Sequence, residues 1–296
     1  MNEVNTVYSE VRLVSTTPFP EKLFVCHARI KDEVAGSLKK FFDGNGTLEK
    51  DLETTFNQYL VYNYNLGEKG LFWEAGPATD FSEILYVFST SSLDEAQKLM
   101  NDDPFNRAGF FYNVLWFEWH VHVPHWKINT PQREMIEGLM RHVNILPKYP
   151  PGVSPEVTEI YVDVVTPQRL FVSISKARAE EIKQIERHEQ AGKPVPAFFI
   201  NHAFNRLGPG GTVQMGYDWE AGPSADQYYD LTIMSVSSMQ MAVQLRENDP
   251  FSQQGLFYDH YYFEWSIFMP FKKVSLNYKD ILKKFLVKAG VKLDNE

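Results

Sequence analysis

The sequence repeats itself. Trp73-Glu74-Ala75-Gly76-Pro77 returns as Trp219-Glu220-Ala221-Gly222-Pro223. Asp103-Pro104-Phe105 returns as Asp249-Pro250-Phe251, and Phe117-Glu118-Trp119 as Phe263-Glu264-Trp265. The three motifs share one offset of about 146 residues, and roughly two in five positions from Leu71 to Pro124 match their counterparts. Motifs in one register with no gap mark two copies of one folding unit. The 296 residues are enough for two ordinary domains. Upstream the match is weaker, with Leu23-Phe24-Val25 answering Leu170-Phe171-Val172.

Each copy reads as βαββαβ. In the first, Lys22 to Ile30 is rich in strand formers, and Asp32 to Phe42 has helical spacing that ends at Gly44 and Gly46. A second helical stretch, Leu52 to Tyr62, leads to a strand ending at Trp73, and Gly76-Pro77 turns the chain. Glu83 to Thr90 is the next strand. Ser92 and Glu95 form a capping box for a helix that stops at Asp103-Pro104, and Tyr112 to Val123 is the last strand. This order predicts an α+β fold of tandem ferredoxin-like units, each a four-stranded sheet with helices on one face. The expected boundaries are 8–125 and 157–275. A connector over 126–156 has a helical segment near Gln132 to His142, and a tail over 276–296 is amphipathic from Tyr278 to Ala289.

The last strand of each copy alternates. Leu115, Phe117, Trp119, Val121 and Val123 share one apolar face, as do Tyr261, Phe263, Trp265, Ile267 and Met269. These faces are expected under the helices. The opposite faces mix aromatics with ionisable groups: Trp116, Glu118, His120 and His122, then His260, Tyr262, Glu264 and Ser266. Aromatic content there argues that the second face is also covered. The simplest cover is the other copy's sheet, which gives a pseudo-dimeric α+β barrel whose interior the mixed faces line.

A net charge of −9 and a pI near 5.4 argue against nucleic acid or an anionic membrane as partner. A lone cysteine, Cys26, rules out an intrachain disulfide and fits a reducing cytoplasm. The polar start carries no signal-like segment, and no apolar window is long enough to span a bilayer. The expected partner is a small molecule; self-association stays open.

An Ala-Gly-Pro turn before the third strand, and a helix ending in Asp-Pro-Phe before a Gly-containing link and a final strand, resemble the YCII-like domains. Here these are Ala75-Gly76-Pro77 with Asp103-Pro104-Phe105, and Ala221-Gly222-Pro223 with Asp249-Pro250-Phe251. The resemblance covers both copies. It implies the dimeric α+β barrel fold, no cofactor, and a His–Asp pair in the cleft. One group of the family eliminates chloride from a chlorinated aromatic ring. The Asp-Pro-Phe aspartate carries over to Asp103 and Asp249. The histidine carries over to His202, ahead of His188, with the Gly208-Pro209-Gly210-Gly211 loop absorbing a difference in spacing. The first copy has no histidine there; Asn57 and Gln58 are the nearest polar residues, so the second copy is expected to hold the pair.

His202 and Asp249 together make chemical sense. The carboxylate fixes one imidazole nitrogen and leaves the other as a base near neutral pH. The bland alternative makes His202 a surface helix residue and Asp249 a backbone-capping one. Glu118 and Glu264 recur, and paired carboxylates can do acid–base work or simply hold cations. His120, His122 and His125 offer a spacing that suits a metal ion. Trp116, Tyr262 and His260 are candidate ligand contacts. The reading is a cofactor-independent lyase or isomerase acting on a small aromatic or cyclic molecule. A non-catalytic binding protein of the same fold and an interaction module are the alternatives.

Overall fold

The computed structural model of the chain describes residues 11–15, 20, 22–123, 136–138, 161–164, 169–208, 210–213, 215–274 and 276–293. The connector helix expected near Gln132 to His142 lies outside these, apart from a helical turn at 136–138. The chain divides into two compact units. One holds Lys22–Glu118, most of the first repeat, with Trp265–Glu296; the other holds Met1–Glu21 with Trp119–Glu264, which includes most of the second repeat.

In the first-repeat unit the strands are β2 (Leu23–Ile30), β3 (Phe72–Pro77), β4 (Glu83–Ser89) and β5 (Phe111–Trp119), in the order β3-β4-β2-β5. Its helices are α1 (Asp32–Phe42), α2 (Lys50–Glu68), α3 (Leu93–Asp102), the short α4 (Pro104–Arg107), and α9 (Leu276–Lys288) from the end of the chain. The second-repeat unit repeats this plan. Its strands are β7 (Arg169–Ala177), β8 (Asp218–Pro223), β9 (Tyr229–Val236) and β10 (Phe257–Trp265), ordered β10-β7-β9-β8. Its helices are α5 (Ala179–Gln190), α6 (Ala197–Leu207), α7 (Met239–Glu247) and the short α8 (Pro250–Gln253). A further pair, β1 (Val11–Ser15) with β6 (Tyr161–Val164), runs antiparallel. Both four-stranded sheets are antiparallel with the strand order of a ferredoxin-like fold, so the α+β architecture is as the element order predicts.

The recurring motifs have structural causes. Ser92 Oγ accepts from Glu95 N at 3.2 Å and Ser238 Oγ from Met241 N at 3.2 Å, so equivalent serines start α3 and α7. Asp103 and Asp249 cap α4 and α8, each accepting from the backbone N–H of the Phe two residues on, at 2.8 and 2.9 Å. Trp265 Nε1 donates to Gly76 O at 2.8 Å, and Trp119 Nε1 to Gly222 O at 2.9 Å. At Gly76 an added Cβ would fall 1.8 Å from Ser266 O, and at Gly222 1.9 Å from His120 O. The Ala-Gly-Pro glycines exist because another backbone crosses there.

The faces of β5 and β10 are the reverse of the expectation. Trp116 stacks on Phe88, with centroids 5.8 Å apart, and packs into the core shared by Phe24 and Ala28 of β2, Leu38 of α1, Phe56 of α2 and Met100 of α3. In the second-repeat unit His260 bonds Ser175, beneath Arg246 of α7. The mixed faces are therefore the ones under the helices. The sheet is buried on its other face too, as Leu23, Val25, Leu85 and Val87 at 0% exposure show, so apolarity alone could not assign the sides. The alternation also breaks at Asn113 and Asp259, which hold left-handed φ of 49° and 52°. On either side of that break Phe111 and Trp116, of opposite parity, meet the same core.

Candidate active site

His202 lies on α6, and Asp249 caps α8. The imidazole Nδ1 sits 2.9 Å from Asp249 Oδ1 and 3.0 Å from Oδ2. Asp249 is 1% exposed, whereas the His202 side chain keeps 23% of its surface open. Phe251 stacks on the imidazole at 4.0 Å and 18°, fixing its plane. Among the described residues Nε2 has no hydrogen-bond partner. Burial alone would raise the Asp249 carboxyl, but His202, Arg206 and Arg246 outweigh it and hold Asp249 well below the usual carboxylate range. An ionised Asp249 fixes a proton on Nδ1 and leaves Nε2 of the neutral ring as an acceptor.

A buried ionic network backs the pair. Arg206, one turn beyond His202, donates to Asp218 at 2.8 Å and Thr232 at 3.2 Å, and its Nε lies 3.5 Å from Asp249. Arg246 donates to Asp230 at 2.8 Å and Ser175 at 3.1 Å, with its guanidinium 5.0 Å from the Phe257 ring centre. Its Nε and Nη1 are buried with no hydrogen-bond partner among the described residues. Burial would lower Arg206, but Asp218, Asp249 and Asp230 keep it above its ordinary value, so it stays charged. This network splits the helix-side core into two clusters, one around Phe199, Phe251 and Phe257, the other around Phe171, Met234 and Ala242.

The first repeat carries the same frame with different contents. Phe56, Tyr59 and Asn63 on α2 stand where Phe199, His202 and Arg206 stand on α6. Tyr59 stacks on Phe105 at 4.3 Å as His202 does on Phe251. Asn63 donates to Asp103 at 3.0 Å. The residue in the histidine's place is therefore Tyr59, not Asn57 or Gln58. Phe72, Ile84 and Met100 match Asp218, Asp230 and Arg246 in the repeat register and join one continuous apolar core. Burial pushes Asp103 up to about 6, although Asn63, the Phe105 and Asn106 amides and Tyr86 pull it back. Burial also raises the Tyr59 and Tyr86 hydroxyls. This site is acidic and aromatic and holds no imidazole.

His202 opens on a cavity of about 120 Å³ within the second-repeat unit. Val123, Ala177, Ile182, Phe199, Phe251 and Phe257 make it apolar; His122, Glu186, Arg206, Gln227 and Asp230 supply polar groups. Glu186 and Gln227 carried no motif. The sign of Glu186 in the sequence is a carboxylate one turn along from Ile182 on an amphipathic helix; that of Arg206 is a cation one turn along from His202 on an apolar one.

Five of the other candidates fall elsewhere. Glu264 is bound bidentately by Arg169, and Glu118 pairs with Lys22 at 3.6 Å. His260 Nδ1 bonds Ser175 Oγ at 2.6 Å, Tyr262 lies beside it at 6.1 Å between ring centres, and Trp116 is in the other unit's core. None of these five lines the cavity. His120 and His122 lend backbone N–H groups to Pro223 O and Ala221 O, both at 2.9 Å. Burial, then the nearby His120 and His202, lower His122 to about 3, so its ring is neutral. Among the described residues no group of three or more His, Cys, Asp or Glu gathers as metal ligands, and His125 lies outside them. No described helix is long and apolar enough to cross a membrane.

No family model matches the sequence, and no curated protein does. Similar solved structures exist. A 5-chloro-2-hydroxyhydroquinone dehydrochlorinase from Burkholderia phenoliruptrix, in complex with 2,5-dihydroxybenzoquinone, is 22% identical and covers 33% of this chain and 94% of its own, with a TM-score of 0.25. A mutant chlorite dismutase from Candidatus Nitrospira defluvii is 11% identical over 92% of this chain and 98% of its own, with a TM-score of 0.48. A heme-binding protein from Thermus thermophilus is 12% identical over 85% of this chain and 96% of its own, with a TM-score of 0.43.

Proposed function

We propose that the chain is a YCII-like, cofactor-independent proton-transfer enzyme, a lyase or isomerase. It acts on a small aromatic or cyclic molecule held beside His202. The observation that carries this reading is the 2.9 Å bond between His202 Nδ1 and the buried Asp249, with Nε2 lacking a hydrogen-bond partner among the described residues and His202 at the wall of a ring-sized cavity. A cavity of this size holds about one six-membered ring. His202 Nε2 takes a proton from the bound molecule; Asp249 stabilises the imidazolium that results. The apolar wall keeps bulk water from competing for the proton. The second repeat carries the pair; at the matching place in the first repeat Tyr59 stands instead of a histidine.

The test uses 3-cyclohexenone, a ring-sized ketone that a base converts to its conjugated isomer with no co-reactant. The protein is expected to accelerate the appearance of 2-cyclohexenone, and His202→Ala to return the rate to background while the chain stays folded. A rate that survives His202→Ala, or a native protein with no rate, overturns the assignment.

A further inference from the structure

The cavity holds a second group able to move a proton. Glu186 lies on α5 and His202 on α6, yet both line the same space. Gln227 Nε2 donates to Glu186 Oε2 at 2.7 Å, which fixes the carboxyl's orientation. Gln227 is 8% exposed, and its Oε1 is buried with no hydrogen-bond partner among the described residues, although the residue lines the cavity. That orphan acceptor marks a place where a bound molecule, or the acid's own proton, is expected. Gln227 is held there by a left-handed φ of 65°, a conformation its counterpart Phe81 shares at 62°. The turn is therefore common to both repeats, and only the second uses it to aim an amide inward. The first repeat has Lys39 in the matching place of α1, where it is exposed and pairs with Asp43.

We propose that Glu186 is the second proton-transfer group of this cavity, a general acid that works with His202 as base. This rests on the reading of His202 given above. Burial raises the Glu186 carboxyl above its ordinary value. Gln227 and Lys183 oppose that rise and Glu189 adds to it, while His122, His202, Arg206 and Asp230 are the ionisable groups lining the cavity from other elements. With a ring ketone the step balances without any co-reactant. A C–H bond α to the carbonyl breaks and its proton goes to His202 Nε2. The Glu186 O–H breaks and its proton goes to the carbonyl oxygen, giving a dienol. The dienol O–H then returns its proton to the Glu186 carboxylate, and the imidazolium protonates the remote carbon. The product is the conjugated isomer, and both side chains are restored.

The experiment is 3-cyclohexenone isomerisation by the full chain, comparing wild type, Glu186→Gln and His202→Ala. Glu186→Gln keeps the shape and the bond to Gln227. It is expected to lose about a hundredfold in kcat with KM nearly unchanged. The wild-type decline in kcat as pH rises and the acid form is lost should disappear in this variant. If Glu186→Gln keeps full kcat while His202→Ala is inactive, the Glu186 proposal fails and the His202 reading stands. If both variants keep the rate, both fail. Carbon-13 NMR of the Glu186 carboxyl, identified by its loss in Glu186→Gln, supplies a check independent of turnover. Titration above the exposed glutamates supports the proposal, and titration with them overturns it.

Discussion

Single residues decide what each repeat can do, and the two Asp-Pro-Phe aspartates show how. Both cap a short helix and both are 1% exposed. Asp249 faces His202 and two guanidiniums and is held low; Asp103 faces neutral donors and is raised to about 6. The signs follow. Asp103 binds its proton more tightly folded than unfolded, so its contribution is full below the unfolded value of 3.8 and is lost as pH rises through about 6. The loss is about 3 kcal/mol. Urea unfolding between pH 4 and 7 should therefore show a decline that Asp103→Asn flattens; an unchanged slope would refute it. Asp249 behaves oppositely, stabilising above the unfolded carboxylate value and losing that contribution as pH falls. Asp249→Asn leaves Arg206 short of a carboxylate and should cost about 3 kcal/mol at neutral pH by the same measurement. The pairing of His202 with Asp249 was legible as residue types and a motif. Tyr59 as the first-repeat counterpart was not, because the glycine loop after α6 shifts the count from the turn, and only the helix register restores it.

Elements are set by where backbones cross. The repeated Trp-Glu-Ala-Gly-Pro and Phe-Glu-Trp blocks are most alike because they meet each other: an indole from one block donates to the glycine carbonyl of the other. Gly76→Ala and Gly222→Ala each place a methyl within 2 Å of a carbonyl oxygen, 1.8 and 1.9 Å. Each should cost more than about 3 kcal/mol, read as a fall in the denaturation midpoint. A loss below about 1 kcal/mol would mean the crossing backbone yields easily. Strand order and helix placement were readable from hydrophobic period, turn glycines and capping serines. The sidedness of β5 and β10 was not. Both faces are buried, and the helices bring their own polar side chains, so a polar strand face can lie beneath them.

Across the whole chain the repeats divide their work by composition on one frame. Phe72, Ile84 and Met100 pack the first; Asp218, Asp230 and Arg246 charge the second. Buried ion pairs cost several kcal/mol per ion before pairing returns any of it. Their presence beside His202 therefore points to a use other than stability. The double variant Asp230→Ile with Arg246→Met should unfold at the same denaturant concentration as wild type or a higher one, whereas Arg246→Met alone should lose about 3 kcal/mol. A double variant weaker than the single one would contradict this. The central claim, that His202 is oriented by Asp249 and offers Nε2 to a ring-sized molecule, is tested most directly by NMR of nitrogen-15-histidine protein titrated with phenol. His202 is identified by its loss in His202→Gln. The prediction is a proton retained on Nδ1 and a phenol-dependent movement of the Nε2 signal, with His188 unmoved. A His202 protonated on Nε2 in its neutral form, or indifferent to phenol, would contradict it.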